Sequence, residues 1–219
     1  MDLWAKYLLV GVVAYLLGSI PFTLLAGKIF FGIDPREHGS GNLGSTNALR
    51  VLGKRAAIGV LACDLGKGAL AVFIARLLFP VGELVADGPF MGSTLSWAMM
   101  LALLGAVAGH AFPVYIGFKG GKGVATAGGG LLVMMPLTAV ILLSIFFATV
   151  ALSRYVSAGS VTAAAMFPVM VLILNRELPF ILFSVLMAAG VIYLHRANIG
   201  RLRAGTESKL SFQRDIESR

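Results

Sequence analysis

Long apolar runs broken by short polar segments make up this chain. They cover roughly residues 7–31, 56–80, 94–118, 124–153, 156–174 and 178–194. About 20 helical residues cross the hydrocarbon core of a bilayer, so runs of this length predict transmembrane helices. The fourth run is long for one span. It contains Gly128-Gly-Gly130 and Met134-Met-Pro136. Proline has no N–H to donate and clashes with the preceding turn. The run is therefore either one kinked helix or two short helices divided near Pro136.

Charge separates the two readings. Division gives seven spans. With the N-terminus outside, the inner side then holds Arg36, Arg50, Lys54, Arg55, Lys119, Lys122, Arg154, Arg196, Arg201, Arg203, Lys209, Arg214 and Arg219. Lys28 sits at the inner end of the first span and Lys67 inside the second, leaving Lys6, Arg76 and Arg176 near the outer side. An undivided run would move the cluster from Arg196 onward outside. The excess of Lys and Arg in cytoplasmic loops favours seven spans. The expected fold is an all-α integral membrane protein with seven transmembrane helices, some of them short. Its N-terminus is outside, its C-terminus is cytoplasmic, and residues 1–219 form one domain. Short halves of a divided run need tilt or cover from other helices.

Composition agrees. Of 219 residues, 58% are hydrophobic and 13% charged, against about 25% charged in soluble domains. No charge falls between Lys6 and Lys28, a stretch long enough to span rather than a cleavable signal. The net charge of +8 is scattered over the ends of apolar runs, so topology explains it and nucleic acid is not an expected partner. Cys63 is the only cysteine, so no internal disulfide forms. Within its apolar run it reads as a small packed side chain. Gly105-Ala-Val-Ala-Gly109 is a small-xxx-small pattern suited to close helix contact.

Three polar segments carry candidate chemistry, and by the charge count all lie on one side of the membrane. The first, Gly39 to Arg50, combines glycines with Ser40, Asn42, Thr46, Asn47 and Arg50. Backbone donors beside a cation suit phosphate. Gly39-x-Gly41-x-x-Gly44 matches the dinucleotide fingerprint literally. That fingerprint requires a strand before it and a βαβ unit, and here an apolar helix precedes it. The second runs from Gly109-His-Ala-Phe-Pro113 to Gly120-Gly-Lys-Gly123. It is not a nucleotide-triphosphate loop, because one residue is missing before Gly-Lys and Gly123 stands where Ser or Thr is needed. Gly121, Lys122 and Gly123 still suit phosphate at a helix start. Lys119 reads equally as a phosphate ligand or a topology charge. The third is His195-Arg-Ala-Asn-Ile-Gly-Arg-Leu-Arg203. His195 and Asn198 stand three apart and share a helix face, with Arg201, Arg203 and Glu207 close by.

His110 reads as a hydrogen-bonded structural residue. Asp64 and Lys67 lie inside the second span, where charges must face a polar interior. They form either a mutual ion pair or a support for a substrate-binding cation such as Arg50. No aspartate follows His38, His110 or His195 at acid/base-pair spacing, which excludes the soluble-type acyltransferase dyad. No cluster has metal-ligand spacing, so no metal is expected.

These residues resemble a known family, the bacterial acyl-phosphate:glycerol-3-phosphate acyltransferases (PlsY). The matching segments are Ser40-Gly-Asn-Leu-Gly-Ser-Thr-Asn47 with Arg50, Gly109-His-Ala-Phe-Pro113 through Phe118-Lys-Gly-Gly-Lys-Gly-Val-Ala125, and His195-x-x-Asn198-Ile-x-Arg201-Leu-x-x-Gly205-x-Glu207. Asp64-x-x-Lys67-Gly68 and Gly18-Ser-Ile-Pro-Phe22 also fit. The resemblance implies a seven-helix fold with its active site at the cytoplasmic face and no metal; a monomer without cofactor in the bacterial inner membrane is expected. The resemblance also implies transfer of an acyl group from acyl phosphate to the 1-hydroxyl of glycerol 3-phosphate, giving lysophosphatidic acid and phosphate in phospholipid biosynthesis. Ser40, His195 and Asn198 would be catalytic. Gly41, Asn42, Thr46, Asn47, Arg50, Lys119, Gly121, Lys122, Gly123, Arg201, Arg203 and Glu207 would bind the substrates, with Asp64, Lys67 and His110 behind them. The base is either His195 or the donor's own phosphate, and the acyl chain is expected in an apolar groove open to the bilayer. Two other classes fit less well. A phosphorylated-solute transporter would place its charges near the bilayer midplane, and a CDP-alcohol phosphotransferase would need several aspartates for metal.

Overall fold

The structure is a computed structural model and describes residues 2–79, 93–175 and 177–210. Arg176, Arg214 and Arg219, counted above in the charge balance, lie outside the described residues. Ten α-helices follow one another among the described residues, with no strand. They are α1 (Leu3–Gly18), α2 (Phe22–Phe31), α3 (Ser45–Val51), α4 (Lys54–Leu78), α5 (Thr94–Ala111), α6 (Val124–Met134), α7 (Pro136–Ser153), α8 (Val156–Leu174), α9 (Leu178–Leu194) and α10 (Arg196–Arg203).

Two apolar runs are broken, each at a proline. The run from 124 to 153 divides at Met135, and Pro136 opens α7, where its missing N–H is harmless. The run from 7 to 31, expected as one helix, is α1 and α2 with Ser19–Pro21 between them. Pro21 has no N–H for the ladder, and it biases Ile20 away from helical geometry.

Counting α1 with α2 as one span, five units among the described residues are long and apolar enough to cross a membrane. The bent pair α9–α10 makes a sixth. The 11 residues of α6 rise only about 16 Å, roughly half the hydrocarbon core. The protein is thus an all-helical, multi-span membrane protein, with the short α6 as a further apolar segment.

Close contact between helix backbones sets the packing. α1 lies on α5, and α4 on α6. A Cβ on Gly18 would sit 2.1 Å from the carbonyl oxygen of Ala106, and one on Gly109 would sit 2.2 Å from that of Tyr15. The small-xxx-small pattern of α5 therefore faces α1. Likewise, Cβ atoms on Gly68 and Gly129 would each lie 1.9 Å from a carbonyl oxygen of the facing helix, those of Thr126 and Leu65. In lipid, where apolar side chains gain nothing by leaving the solvent, such close backbone contact holds helices together. The outward faces carry large apolar side chains, among them Leu8, Ile29, Leu77, Phe147 and Leu152. Cys63 belongs to that outer surface. The expectation of a packed cysteine fails because its neighbour Asp64 takes the inward-facing position on α4.

Gly129→Leu should destabilise the α4–α6 contact by about 1–3 kcal/mol, the usual cost of overpacking. Gly66→Ala, at a helical position where a Cβ would meet nothing within 4 Å, should leave thermal melting in detergent unchanged or slightly raised.

Candidate active site

The loop between α2 and α3 is organised by one side chain. Asn47 Oδ1 accepts from the Ser40 N–H at 2.8 Å and the Ser40 Oγ at 3.2 Å. Its Nδ2 donates to the carbonyls of Pro35 at 2.9 Å and His38 at 3.3 Å. The Asn47 amide is spent on closing the loop, and the residue is 2% exposed. Gly39 has φ +59, and a Cβ there would lie 2.5 Å from Asn47 Oδ1, so the loop requires glycine on both counts. Gly41 also has positive φ, at +67. Asn42, Thr46 and Arg50 are partly exposed, and none makes a side-chain hydrogen bond among the described residues. Arg50 lies in the last turn of α3, where its charge acts on Lys122.

Two glycines of the second loop, Gly120 and Gly121, do not present free backbone donors. Gly120 N–H donates to Ala111 O at 3.1 Å and Gly121 N–H to His110 O at 3.0 Å. A Cβ on Gly121 would lie 2.1 Å from His110 Nε2. These two residues are small so that the loop can fold back on the end of α5. Gly123, with φ +74, caps α6. Lys122 stands between them and donates to Asn198 Oδ1. Burial lowers its ammonium to about 8, with Arg201 and Arg50 acting in the same direction and Glu207 opposing. Lys119 is exposed and has no hydrogen bond or ion pair among the described residues.

Between α9 and α10 the chain bends by 60° at His195. The carbonyl of Val191 accepts from His195 Nδ1 at 2.8 Å. A carbonyl can only accept, so Nδ1 carries the proton and Nε2 keeps its lone pair. The imidazole is 2% exposed. One turn on, Asn198 Nδ2 donates to Glu207 Oε1 at 2.6 Å. Glu207 also accepts from Ser157 Oγ at 2.7 Å and from Arg201 Nε at 2.6 Å. Burial would raise the Glu207 carboxyl, but these three donors and the Arg201 charge outweigh it and hold it below the ordinary value. Arg203 is exposed on the last turn of α10.

Asp64 and Lys67 form an ion pair of 2.8 Å, 1% and 5% exposed. Lys67 Nζ also donates to Ile20 O at 3.0 Å, the carbonyl beside the Pro21 break. His110 Nδ1 lies 3.5 Å from Asp64 Oδ1 and 3.2 Å from Thr126 Oγ1. The pair therefore reaches the second loop through His110 and Gly121. Of the residues here, Ser157, Thr126 and Ile20 were not singled out in the sequence. Pro21 marks the break beside the Ile20 carbonyl, which accepts from Phe22 N–H at 3.2 Å as well as from Lys67, whereas Ser157 and Thr126 are ordinary small polar residues in apolar helices.

All three polar segments thus meet. Lys122 binds Asn198, Arg50 acts on Lys122, and Leu43 O of the first loop lies against Gly121. An apolar groove between α6, α7, α8 and α9 begins at this meeting point. Its lining includes Val124, two residues past Lys122, and Val191, whose carbonyl anchors His195. Phe146, Phe167 and Met187 continue it into the bundle. Among the described residues no group of His, Cys, Asp and Glu is arranged to hold a metal ion.

The family profile described as glycerol-3-phosphate acyltransferase matches residues 8–205. The chain is similar to the glycerol-3-phosphate acyltransferase of Chlorobaculum tepidum, with 42% identity over 95% of this chain and 98% of that one. It is 46% identical to that of Bacillus cytotoxicus, over 96% of this chain and 98% of the other. Its fold matches the crystal structure of PlsY, an integral membrane glycerol 3-phosphate acyltransferase, in its glycerol 3-phosphate form. The TM-score is 0.83 and the identity 35%, over 94% of this chain and 96% of that one. Profile, relatives and fold agree over nearly the whole chain, which belongs to the glycerol-3-phosphate acyltransferase family.

Proposed function

We propose that this protein transfers an acyl group from acyl phosphate to the 1-hydroxyl of glycerol 3-phosphate, giving lysophosphatidic acid and inorganic phosphate. One observation carries the reading: cations from three separate segments converge beside His195 where an apolar groove enters the bundle. Two phosphates brought together repel each other, so several positive groups must surround them. Arg50, Lys122, Arg201 and Arg203 supply that charge, with Lys119 at the rim. Ser40, Gly41, Asn42 and Thr46 line the first loop as ligands. Asn47, Gly121 and Gly123 shape the loops, and Glu207 orients Asn198 and Arg201. The groove receives the acyl chain.

In this reading the glycerol hydroxyl oxygen attacks the acyl carbonyl carbon. The carbon–oxygen bond to phosphate breaks and the phosphate leaves with the electron pair. The hydroxyl proton passes to a phosphoryl oxygen of the donor. His195 orients the hydroxyl through Nε2, since Nδ1 is committed to the Val191 carbonyl. Purified protein in lipid, offered palmitoyl phosphate and palmitoyl-CoA in parallel, should make lysophosphatidic acid from the phosphate alone. Product from the CoA ester would overturn the donor.

The same reading places the protein in a bacterial inner membrane as a monomer, with its N-terminus outside and the site at the cytoplasmic face. The break before Pro136 supports seven membrane segments, with α6 as a short one. A C-terminal tag should therefore be inaccessible in intact cells.

Three variants probe the chemistry. His195→Gln should lower kcat by less than the roughly 10²–10⁴-fold expected on losing an obligatory base. Glu207→Gln should lower kcat/KM by on the order of tenfold or more, since Asn198, Arg201 and Ser157 lose a shared charged acceptor. Lys122 has a folded-state pKa of about 8, so its charge is present below pH 8 and lost above it. The apparent KM for glycerol 3-phosphate should rise from pH 7 to 9. Lys122→Arg, which keeps its charge over that range, should show no such rise.

A further inference from the structure

The site straddles two groups of helices. α4 packs on α1, α2, α5 and α6, and α3 packs on α2 and α4, whereas α10 packs on α8 and α9. Arg50 and Lys122 belong to the first group, and His195 and Asn198 to the second. The segment after α10 crosses from one group to the other. Gly205, with φ +71, turns the chain back, and Thr206 N–H donates to Arg201 O at 2.9 Å. Glu207 then engages Ser157, Asn198 and Arg201. Lys209 Nζ lies 5.8 Å from the centroid of the Tyr155 ring. Leu210 N–H donates to Arg154 O at 2.7 Å, and Arg154 Nη2 reaches back to Leu210 O at 3.5 Å. Arg154 holds φ +64, unusual for a residue with a Cβ, so the α7–α8 turn takes a specific shape where it meets the segment. The Leu210 side chain packs on the apolar cluster of Ala48, Leu49 and Val51 in α3, Leu52 just after it, and Ala57 and Val60 in α4.

We propose that residues 204–210 are a strap across the seam of the active site, and that Leu210 is a positioning residue for the reaction. Leu210 bonds to Arg154 through its backbone, and its side chain packs on the apolar cluster. It acts through Glu207: with Leu210 seated under α3 and its backbone pinned by Arg154, the Glu207 carboxylate holds Asn198 and Arg201 at the distance from Lys122 and Arg50 that a phosphate spanning the seam requires. The consequence is a split between binding and turnover. Loosening the strap separates the cations that share one phosphate, while the His195 ring keeps its anchor on Val191. The inference rests on the proposed acyl transfer for its kinetic readout and on the fold alone for its structural one.

The test compares wild type with Leu210→Asp and Leu210→Met, each purified as full chain in lipid. A carboxylate in the α3–α4 cluster should release the strap, because a buried unpaired charge is costly. Methionine, close in volume, should restore it. For Leu210→Asp the expected result is a KM for glycerol 3-phosphate raised about tenfold, with kcat within about threefold of wild type. Hydrogen exchange of the backbone amides of residues 196–203 should rise while α1, α4 and α5 stay protected. Leu210→Met should match wild type in both readouts. Unchanged KM with unchanged protection of α10 would overturn the strap. So would loss of protection throughout the bundle, which would make Leu210 a general stability residue. A wild-type protein that makes no product would sink the acyl-transfer reading instead, and the exchange comparison would still decide whether the strap holds α10.

Discussion

A lysine taken out of water at a membrane face must find acceptors, and the Lys122–Asn198–Glu207 relay provides them. Burial weakens the charged form of Lys122, while Glu207 works to keep it. Glu207 is itself held ionised by hydrogen bonds from Asn198, Ser157 and Arg201. Each member therefore depends on the next. The relay also joins segments distant in sequence, since Lys122 precedes α6, Ser157 opens α8 and Asn198 lies in α10. In the proposed reading the carboxylate keeps the cations charged and oriented before a phosphate arrives. That limits the reorganisation left for the moment of reaction.

The relay is accurate only if the frame behind it is rigid, and that frame is made by omission of side chains. Gly68 and Gly129 let α4 and α6 approach until backbone meets backbone. α6 begins immediately after Lys122, so the contact fixes that lysine's origin. On the other side of the loop, Gly121 admits the His110 ring, which Thr126 and the Asp64–Lys67 pair hold from below. Removing one partner of that buried pair would strand the other charge. The pair thus serves the site through the position of a loop.

Much of this was legible because sequence patterns report chemistry well. Charge asymmetry located the polar face, and Pro136 marked a real break. The glycine-and-cation segments that looked separate along the chain do meet. What sequence could not give was direction. Gly121 read as a phosphate ligand, yet its N–H, like that of Gly120, turns back to a carbonyl at the end of α5. Asn47 read as a ligand, yet both ends of its amide close the loop that carries it. Glycine permits close approach without saying to what, and an asparagine can face ligand or backbone equally well. Gly18-Ser-Ile-Pro-Phe22 fitted as a segment without revealing the helix break at Pro21, beside which the Ile20 carbonyl accepts from Phe22 N–H and from Lys67. Ser157 and Leu210 gave no local signal, because their importance lies in partners 50 residues or more away.

A seam through the site has a chemical use. In the proposed reaction two phosphate-bearing substrates enter, and products of very different polarity leave, one to water and one to lipid. A site built within a single helix pair would hold all four with the same grip. Here the first group of helices contributes Arg50 and Lys122, and the second contributes His195, Asn198 and Arg201. A phosphate gripped from both sides is bound far more tightly than one gripped from one side, because the second set of contacts is made at high effective concentration. Small changes across the seam therefore change affinity steeply. The groove is formed by α6 to α9 and in the proposed reading would hold an apolar chain by area rather than by direction. Because α6 belongs to the first group yet lines the groove with α7 to α9, a movement across the seam would loosen the grips on phosphate and chain together. In the proposed reaction that would let inorganic phosphate leave to water as the lipid product slides out between helices.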